Sequence, residues 1–347
     1  MGIAERLYYL GLSIKRYFGI KHQKRLPYRV VSVGNLTLGG TGKTPATIAM
    51  AEEAQSRGFL PVILTRGYKG SEQGPCFVTK GEGLLLDVTR AGDEPALMGE
   101  KLRGIPVVKG KNRYNAGMFA IKAIKHQQEE HAASSITNSE IVFILDDGFQ
   151  HWTLYRDKDI VLIDSENPFS NRKLIPFGRL REPIDALSRA DVIVITGTAE
   201  SGRNDDDLHR DLIDEIKLHN NQAQIYSACH TLVGCTTVAG ERMPAAVLSG
   251  TKVFGFCGLA NPVSFRKTIE STGAVLTGLR HYRDHFRYRS EDVREIADEA
   301  GRTGADTIVT TEKDIIKMKT FDLPINMVIL EIAFSVKADF YTHIFGF

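Results

Sequence analysis

The sequence predicts an α/β fold, a doubly wound and mostly parallel sheet followed by a second, smaller α/β unit. Three observations lead there. Short apolar runs rich in Val and Ile alternate with stretches of helical period, which is the pattern of parallel strands buried on both faces. Residues 29–54 pass from one such strand through a glycine-rich turn directly into a helix. From about residue 223 the alternation lapses, and it restarts at Val253, so the chain is expected to divide into units 1–222 and 223–347. A length of 347 residues is ample for two cores.

Composition narrows the function classes. With 42% hydrophobic and 25% charged residues the chain reads as an ordinary globular protein. A net charge of +2 argues against a wholly basic surface, so no nucleic-acid partner is expected. The average hides an asymmetry: residues 1–29 hold seven Lys or Arg against one Glu, a local +6 that leaves −4 for the rest. The four cysteines (Cys76, Cys229, Cys235, Cys257) lack paired metal spacing and read as reduced thiols. No apolar run is long enough to span a bilayer, and the N-terminus lacks a signal peptide's cleavage pattern.

Residues 3–18 place Ile3, Leu7, Leu10, Ile14, Tyr17 and Phe18 on one stripe of a helix, with Lys15, Arg16, Lys21, Lys24, Arg25 and Arg29 around or after it. Two readings stay open, a helix packed on its own domain or one lying on anionic lipid. Val30–Val33 is a β-branched strand, and Gly39-Gly40-Thr41-Gly42-Lys43-Thr44 follows, with Pro45 in the first helical turn. Glycines let backbone N–H groups crowd a phosphate, and a helix start adds unpaired donors. The phosphate cradle is therefore expected over Thr37, Leu38, Gly39, Gly40, Thr41, Gly42, Lys43 and Thr44. Lys43 would face the β/γ-phosphates, and the Thr44 hydroxyl would face Mg²⁺. A strict P-loop has glycine where this chain has Thr37.

Leu60–Thr65 is the next strand, ending in Arg66-Gly67-Tyr68 at the carboxyl edge where α/β ligands bind. Asp93 or Glu94 reads on spacing as a cap for the helix over 96–102. Val107–Lys109 is a short strand, Arg113 opens a helix, and residues 126–139 read as its solvated end and a loop. Ile141–Leu145 runs into Asp146-Asp147, the acidic strand end that a phosphate-binding enzyme sets opposite its lysine to hold Mg²⁺. Asp159–Asp164 and Asp191–Thr196 are further strands, and the proline-rich loop between them carries Arg181-Glu182, suited to a phosphate or to a structural ion pair. Residues 198–206 read as a loop and 207–219 as an amphipathic helix. Gln224–Cys229 and Thr236–Val238 look like two short strands; Val253–Gly258 and Thr307–Thr311 are longer ones, the latter leading into Glu312-Lys313-Asp314. The sequence shows no internal repeat.

The ordered set Gly34-Asn35, Gly39–Thr44, Arg66-Gly67-Tyr68, Gly92–Pro95, Asp146–His151, Leu180–Pro183, Gly258–Pro262, Asp284-His285 and Thr310–Asp314 resembles the tetraacyldisaccharide 4′-kinases (lipid A 4′-kinases) of Gram-negative bacteria, over nearly the whole chain. That family's P-loop also tends to lack its first glycine. The resemblance implies a P-loop kinase-like fold whose ATP γ-phosphoryl group goes to the 4′-hydroxyl of lipid A disaccharide 1-phosphate, forming lipid IVA. It implies a site in the cleft between a larger N-terminal and a smaller C-terminal domain, with ATP and Mg²⁺ as cofactors. Asp93 acting with His285 would be the base, beside Lys43, with Thr44 and Asp146 or Asp147 on the metal. Asn35, Arg66, Tyr68, Arg113, Gln150, His151, Arg181 and Glu182 are the implied contacts to the sugar and its phosphates. The enzyme would be peripheral on the cytoplasmic face of the inner membrane, contacting it through residues 3–29, with no obligate protein partner. The alternative is a membrane-associated P-loop ATPase or GTPase switch without a small-molecule acceptor. A GTPase would want a base-reading Lys-x-Asp, and in Thr311–Asp314 the Lys and Asp are adjacent.

Overall fold

The computed structural model describes residues 2–130, 139–197 and 206–346. Of the segments expected to be loop within 126–139 and 198–206, residues 131–138 and 198–205 lie outside the described residues. The first half of the chain runs α1 (Ile3–Lys21), β1 (Arg29–Asn35), α2 (Lys43–Ser56), β2 (Leu60–Thr65), β3 (Cys76–Thr79), α3 (Val88–Ala91), α4 (Asp93–Lys101), β4 (Val107–Lys109), α5 (Arg113–Glu130), β5 (Ile141–Asp146), β6 (Lys158–Asp164), β7 (Val192–Thr196) and α6 (Asp206–His219). The remainder is β8 (Gln224–Thr237), β9 (Arg242–Met243), β10 (Lys252–Cys257), α7 (Pro262–Ser271), β11 (Val275–His281), α8 (Ser290–Arg302), β12 (Thr307–Thr311), α9 (Glu312–Ile315), β13 (Met327–Val336) and α10 (Ala338–Phe345).

The fold is α/β, built on one mostly parallel sheet in the order β11-β10-β12-β13-β8-β7-β6-β1-β5-β2-β4-β3, with β9 against β8. β1 lies between β5 and β6, both parallel to it, while the chain leaves β1 over α2 to reach β2. Loops after β1 and β6 thus diverge at the carboxyl edge, the crevice where open α/β sheets bind ligands. The central strands are buried from end to end because helices cover both faces: every residue of β5 is buried, as are Val30–Asn35 of β1. On one face α2 packs Ala46, Ile48, Met50, Ala51 and Ala54 toward Val31, Val33 and Ile144; on the other, α5 brings Ala116, Ala120 and Ile121 to Phe143 and Leu145.

Two short strands expected over 224–238 are instead one, β8. Its first part pairs parallel with β7, from Gln224 on Val192 to Ala228 on Thr196. Its remainder pairs antiparallel with β13, from Ala228 on Val336 to Thr237 on Val328, with an irregularity near Glu331. The broken apolar alternation around Leu232-Val233-Gly234 hides this continuity, since a register shift moves side chains to the other face. The sheet therefore runs unbroken between the two halves, and α10 packs Phe340, Ile344 and Phe345 into the core beside α2. β3, unforeseen, is an antiparallel edge strand on β4.

α1 inverts the usual arrangement of a surface helix. It docks through its polar side: Glu5 is buried and accepts from the Leu174 N–H at 3.2 Å, the Tyr8 hydroxyl donates to the Arg181 carbonyl at 2.9 Å, and Gly19 abuts Trp152. Its apolar stripe is exposed, from 49% for Ile14 to 82% for Ile3, with Leu7, Leu10, Tyr17 and Phe18 between. Among the described residues no helix is long and apolar enough to cross a membrane.

Candidate active site

The loop after β1 is shaped by its glycines and braced from below. Gly39 (φ +131°) and Gly42 (φ +80°) hold left-handed backbone, and α2 starts immediately after, at Lys43, so its first N–H groups point into the open. The loop is laced to the Phe177–Pro183 segment: Leu38 N–H donates to the Arg179 carbonyl at 2.7 Å, and Arg181 N–H to the Leu36 carbonyl at 2.7 Å. Thr37 forms a β-bridge with Leu180, which explains why a residue other than glycine stands there: bridge backbone needs no positive φ. Arg179, which the sequence did not single out, also donates Nε to the Leu38 carbonyl at 2.9 Å. From inside, Asn35 Nδ2 donates to Thr41 Oγ1 at 3.0 Å and the Thr196 hydroxyl to the Thr41 carbonyl at 3.3 Å.

Leu38 to Thr44 line a cleft of about 2220 Å³, together with Arg66, Tyr68, Arg113, Asp146, Asp147, Gln150, His151, Arg181 and His285. Four expected site residues do not line it. Asn35, Thr37, Asp93 and Glu182 are buried behind the wall. Asn35, Thr37 and Glu182 brace the loop and its neighbours there, in place of the expected contact with nucleotide or sugar. Glu182 accepts from Arg189 at 2.9 Å and from Gln150 Nε2 at 3.0 Å, so the Arg181–Glu182 pair is not formed.

Arg181 instead grips Asp147. Its Nη1 donates to both Asp147 oxygens at 2.8 Å, and Lys43 Nζ approaches Oδ1 at 3.7 Å. Burial alone would raise the Asp147 pKa, but Lys43 and Arg181 together hold it below the usual range. Asp146 behaves oppositely. Burial, reinforced by Glu94 and Asp147, pushes it up to about 7, although Thr65 Oγ1 donates to Oδ2 at 2.8 Å. Carboxylates crowded on a cleft wall that Thr44 also lines are hard oxygen donors that a divalent cation would relieve, so the residues fit Mg²⁺. Among the described residues no group of three or more His, Cys, Asp or Glu could hold a metal unaided. That suits an ion that takes one or two protein ligands and completes its shell with phosphate and water.

Asp93 does not cap its helix. Gly92 takes the cap position, and a Cβ there would fall 2.5 Å from the Tyr68 carbonyl oxygen. The Asp93 carboxylate is buried beside the cleft, its Oδ2 2.8 Å from Nδ1 of His285, which lines it. Burial opposes ionisation, but His285 outweighs it and, with Lys317, brings Asp93 down to about 2. His285 is held at φ +58° with its ring edge against Tyr68, centroids 5.7 Å apart.

Part of the cleft wall is cationic. Arg113, almost fully buried, donates Nη1 to the Lys111 carbonyl at 3.2 Å, and its Nε has no hydrogen-bond partner. Burial lowers its pKa to about 10 despite Asp146 and Asp147 nearby. Burial and then Arg113, Arg156, Lys15 and Arg66 drive His151 down to about 3, so its imidazole is neutral at physiological pH. Two further cleft residues escaped the sequence: Lys15, on the docked side of α1, and His230 of β8, whose ring would lie 2.6 Å from a Cβ on Gly42. Only the topology brings them to the cleft.

A glycine-rich cradle on a central parallel strand, a lysine at the helix start and paired acids on the neighbouring strand define a P-loop phosphotransferase. The comparisons narrow this. The tetraacyldisaccharide-1-P 4′-kinase family matches residues 2–345. A tetraacyldisaccharide 4′-kinase of Halothermothrix orenii is 35% identical over 97% of this chain and 88% of its own, and one of Desulfotalea psychrophila is 37% identical over 88% and 84%. The solved LpxK from Aquifex aeolicus in complex with ATP superposes with a TM-score of 0.74 at 26% identity, covering 99% of this chain and 96% of that one. The chain belongs to the tetraacyldisaccharide 4′-kinase family, kinases of lipid A biosynthesis that phosphorylate a hydroxyl group.

Proposed function

We propose that this protein transfers the γ-phosphoryl group of ATP to the 4′-hydroxyl of lipid A disaccharide 1-phosphate, giving lipid IVA and ADP. The observation that carries the reading is that Lys43 and His285 line one cleft, with the buried Asp93 carboxylate 2.8 Å from His285 Nδ1. In this reaction the acceptor oxygen forms a bond to Pγ as the bond from Pγ to the bridging oxygen breaks, and the hydroxyl proton must leave. Asp93 is ionised at neutral pH and takes that proton, while His285 orients the carboxylate and shares the charge. Lys43 and the N–H groups at the start of α2 neutralise the triphosphate. For that, Lys43 must exchange Asp147 for phosphate, and Arg181 keeps the released carboxylate in place. Thr44 with Asp146 or Asp147 would hold Mg²⁺, which supplies charge neutralisation between the phosphates when bound. Arg113, with an unused buried Nε and Arg66 beside it, suits an acceptor phosphate or sugar oxygen.

The exposed stripe of α1 supports a second part of the proposal, peripheral attachment to the cytoplasmic face of the inner membrane. An amphipathic helix whose polar side docks and whose apolar side faces out, followed by the basic run Lys21–Arg29, has the features of an interfacial anchor on anionic lipid. Transfer of labelled phosphate from ATP to purified disaccharide 1-phosphate, with and without Mg²⁺, tests the activity. ATP hydrolysis indifferent to the acceptor would point to the switch instead.

A further inference from the structure

The Asp93–His285 contact joins two parts of the chain through side chains alone, and a third residue spans the same gap. Lys313, second residue of α9, lies 3.3 Å from Glu94 Oε1 and 3.1 Å from Asp284 Oδ1. Glu94 follows Asp93 on α4, and Asp284 precedes His285. The same Asp284 oxygen accepts the His285 backbone N–H at 3.0 Å, which helps hold His285 in a left-handed conformation that a residue with a Cβ rarely adopts. One ammonium thus ties the immediate neighbours of both members of the pair.

The surroundings strengthen the tie. Glu312 pairs with Lys101 of α4 at 2.7 Å, and Lys319 pairs with Glu100, so α4 meets the 312–319 segment along its length through opposite charges. Lys313 is largely buried, yet Glu94 and Asp284 hold its pKa above the ordinary lysine value against that burial. The charged and titratable groups facing the pair are Tyr68 from the loop after β2, Glu94 from α4, Asp284 immediately before His285, and Lys313 and Lys317 from α9 and its extension.

We propose that Lys313 is a positioning residue for phosphoryl transfer: by bridging Glu94 and Asp284 it sets the separation and orientation of Asp93 and His285 at the cleft wall. This rests on the reading of Asp93 as base. Lys313 itself touches no reacting atom. Its effect falls on the transfer step, and nucleotide binding at the P-loop is left intact.

The test is a pH series of acceptor-dependent transfer by the full-length protein, comparing Lys313→Met, Lys313→Arg, Asp284→Asn and Asp93→Asn, with thermal unfolding recorded for each. Lys313→Met should lower kcat by about 10- to 100-fold with KM for ATP changed less than about threefold, the signature of an interaction realised in the transition state. Losing a cation beside both groups favours their protonated forms, so the acid limb of the kcat profile should move to higher pH. Asp284→Asn, which removes a negative charge from the same place, should move that limb to lower pH, and this arm reads the proposal even if Lys313→Met does not fold. Lys313→Arg should restore most of kcat. Limbs that stay put, or an arginine variant as impaired as the methionine one, would mean a structural salt bridge and overturn the proposal. Wild-type kcat in Lys313→Met with Asp93→Asn inactive removes this proposal alone, whereas full activity in Asp93→Asn removes the base reading and this proposal with it.

Discussion

His285 Nδ1 and Asp93 Oδ2 lie 2.8 Å apart although 192 positions separate the two residues in the chain. A carboxylate so placed is doubly committed, to the geometry of the cleft and to the charge state of the fold. Asp93→Asn should reduce transfer by at least about 100-fold, the scale of a lost general base, while far-UV circular dichroism and ATP affinity stay near those of the parent. Retained activity would discard the assignment.

The same pair makes stability depend on acid. Asp93 is held at about 2, below the ordinary aspartate value of 3.8, so its stabilisation is fully present above about pH 4 and is lost as pH falls through 2. The shift corresponds to roughly 2–3 kcal/mol. Urea unfolding should find Asp93→Asn less stable than the parent by about that amount at pH 7, with the gap closing near pH 2 to 3. A gap independent of pH would show that the loss comes from packing.

Lys43→Ala should weaken ATP binding and remove transfer. It should also release Asp147, whose depressed pKa depends on Lys43 as well as Arg181. Titration calorimetry with ATP and the transfer assay read the two effects. Unchanged ATP affinity would mean that the triphosphate is gripped elsewhere.

Replacing Leu7, Leu10 and Ile14 by serine should cut partitioning onto vesicles of anionic lipid and leave the melting temperature within a few degrees, because these side chains are exposed and contribute little to the core. Neutralising Lys21, Lys24 and Arg25 should weaken the same binding mainly at low salt, where the Debye length is long. Undiminished partitioning in the serine variant would show that the stripe is not the anchor.

Phe143, fully buried in β5 between Val30 and Val62 of the neighbouring strands, is a measure of the central core. Phe143→Ala should cost about 3–5 kcal/mol in chemical denaturation. A loss under about 1 kcal/mol would mean that the surrounding helices collapse into the space.

What could be read from residues alone follows a physical division. The P-loop and the acids of β5 were legible because they are local: strand, turn and helix are neighbours in sequence, and their residue types are dictated by backbone geometry and charge. On spacing alone Asp93 read as a helix cap. Its true partner lies on a distant loop, and only the family resemblance suggested it. β8 read as two strands because its alternation breaks where the pairing register shifts. The stripe of α1 was visible, but periodicity reports a face and not what covers it. Arg179, Lys15 and His230 carry no local signature at all; the long loop after β6, the docked side of α1 and the path of β8 bring them to the cleft.

The docked side of α1 leads to a statement about reach. Tyr8, Leu12 and Lys15 border the cleft while Ile3, Leu7 and Ile14 look outward, so a single rod separates the catalytic chamber from whatever the outward residues rest upon. Such a rod is about 10–12 Å thick with its side chains. On the proposed seating of the outward face among lipid headgroups, a sugar rising by that thickness would arrive at the chamber while its hydrocarbon tails stayed in the leaflet, and the enzyme would not have to lift its substrate out of the oil.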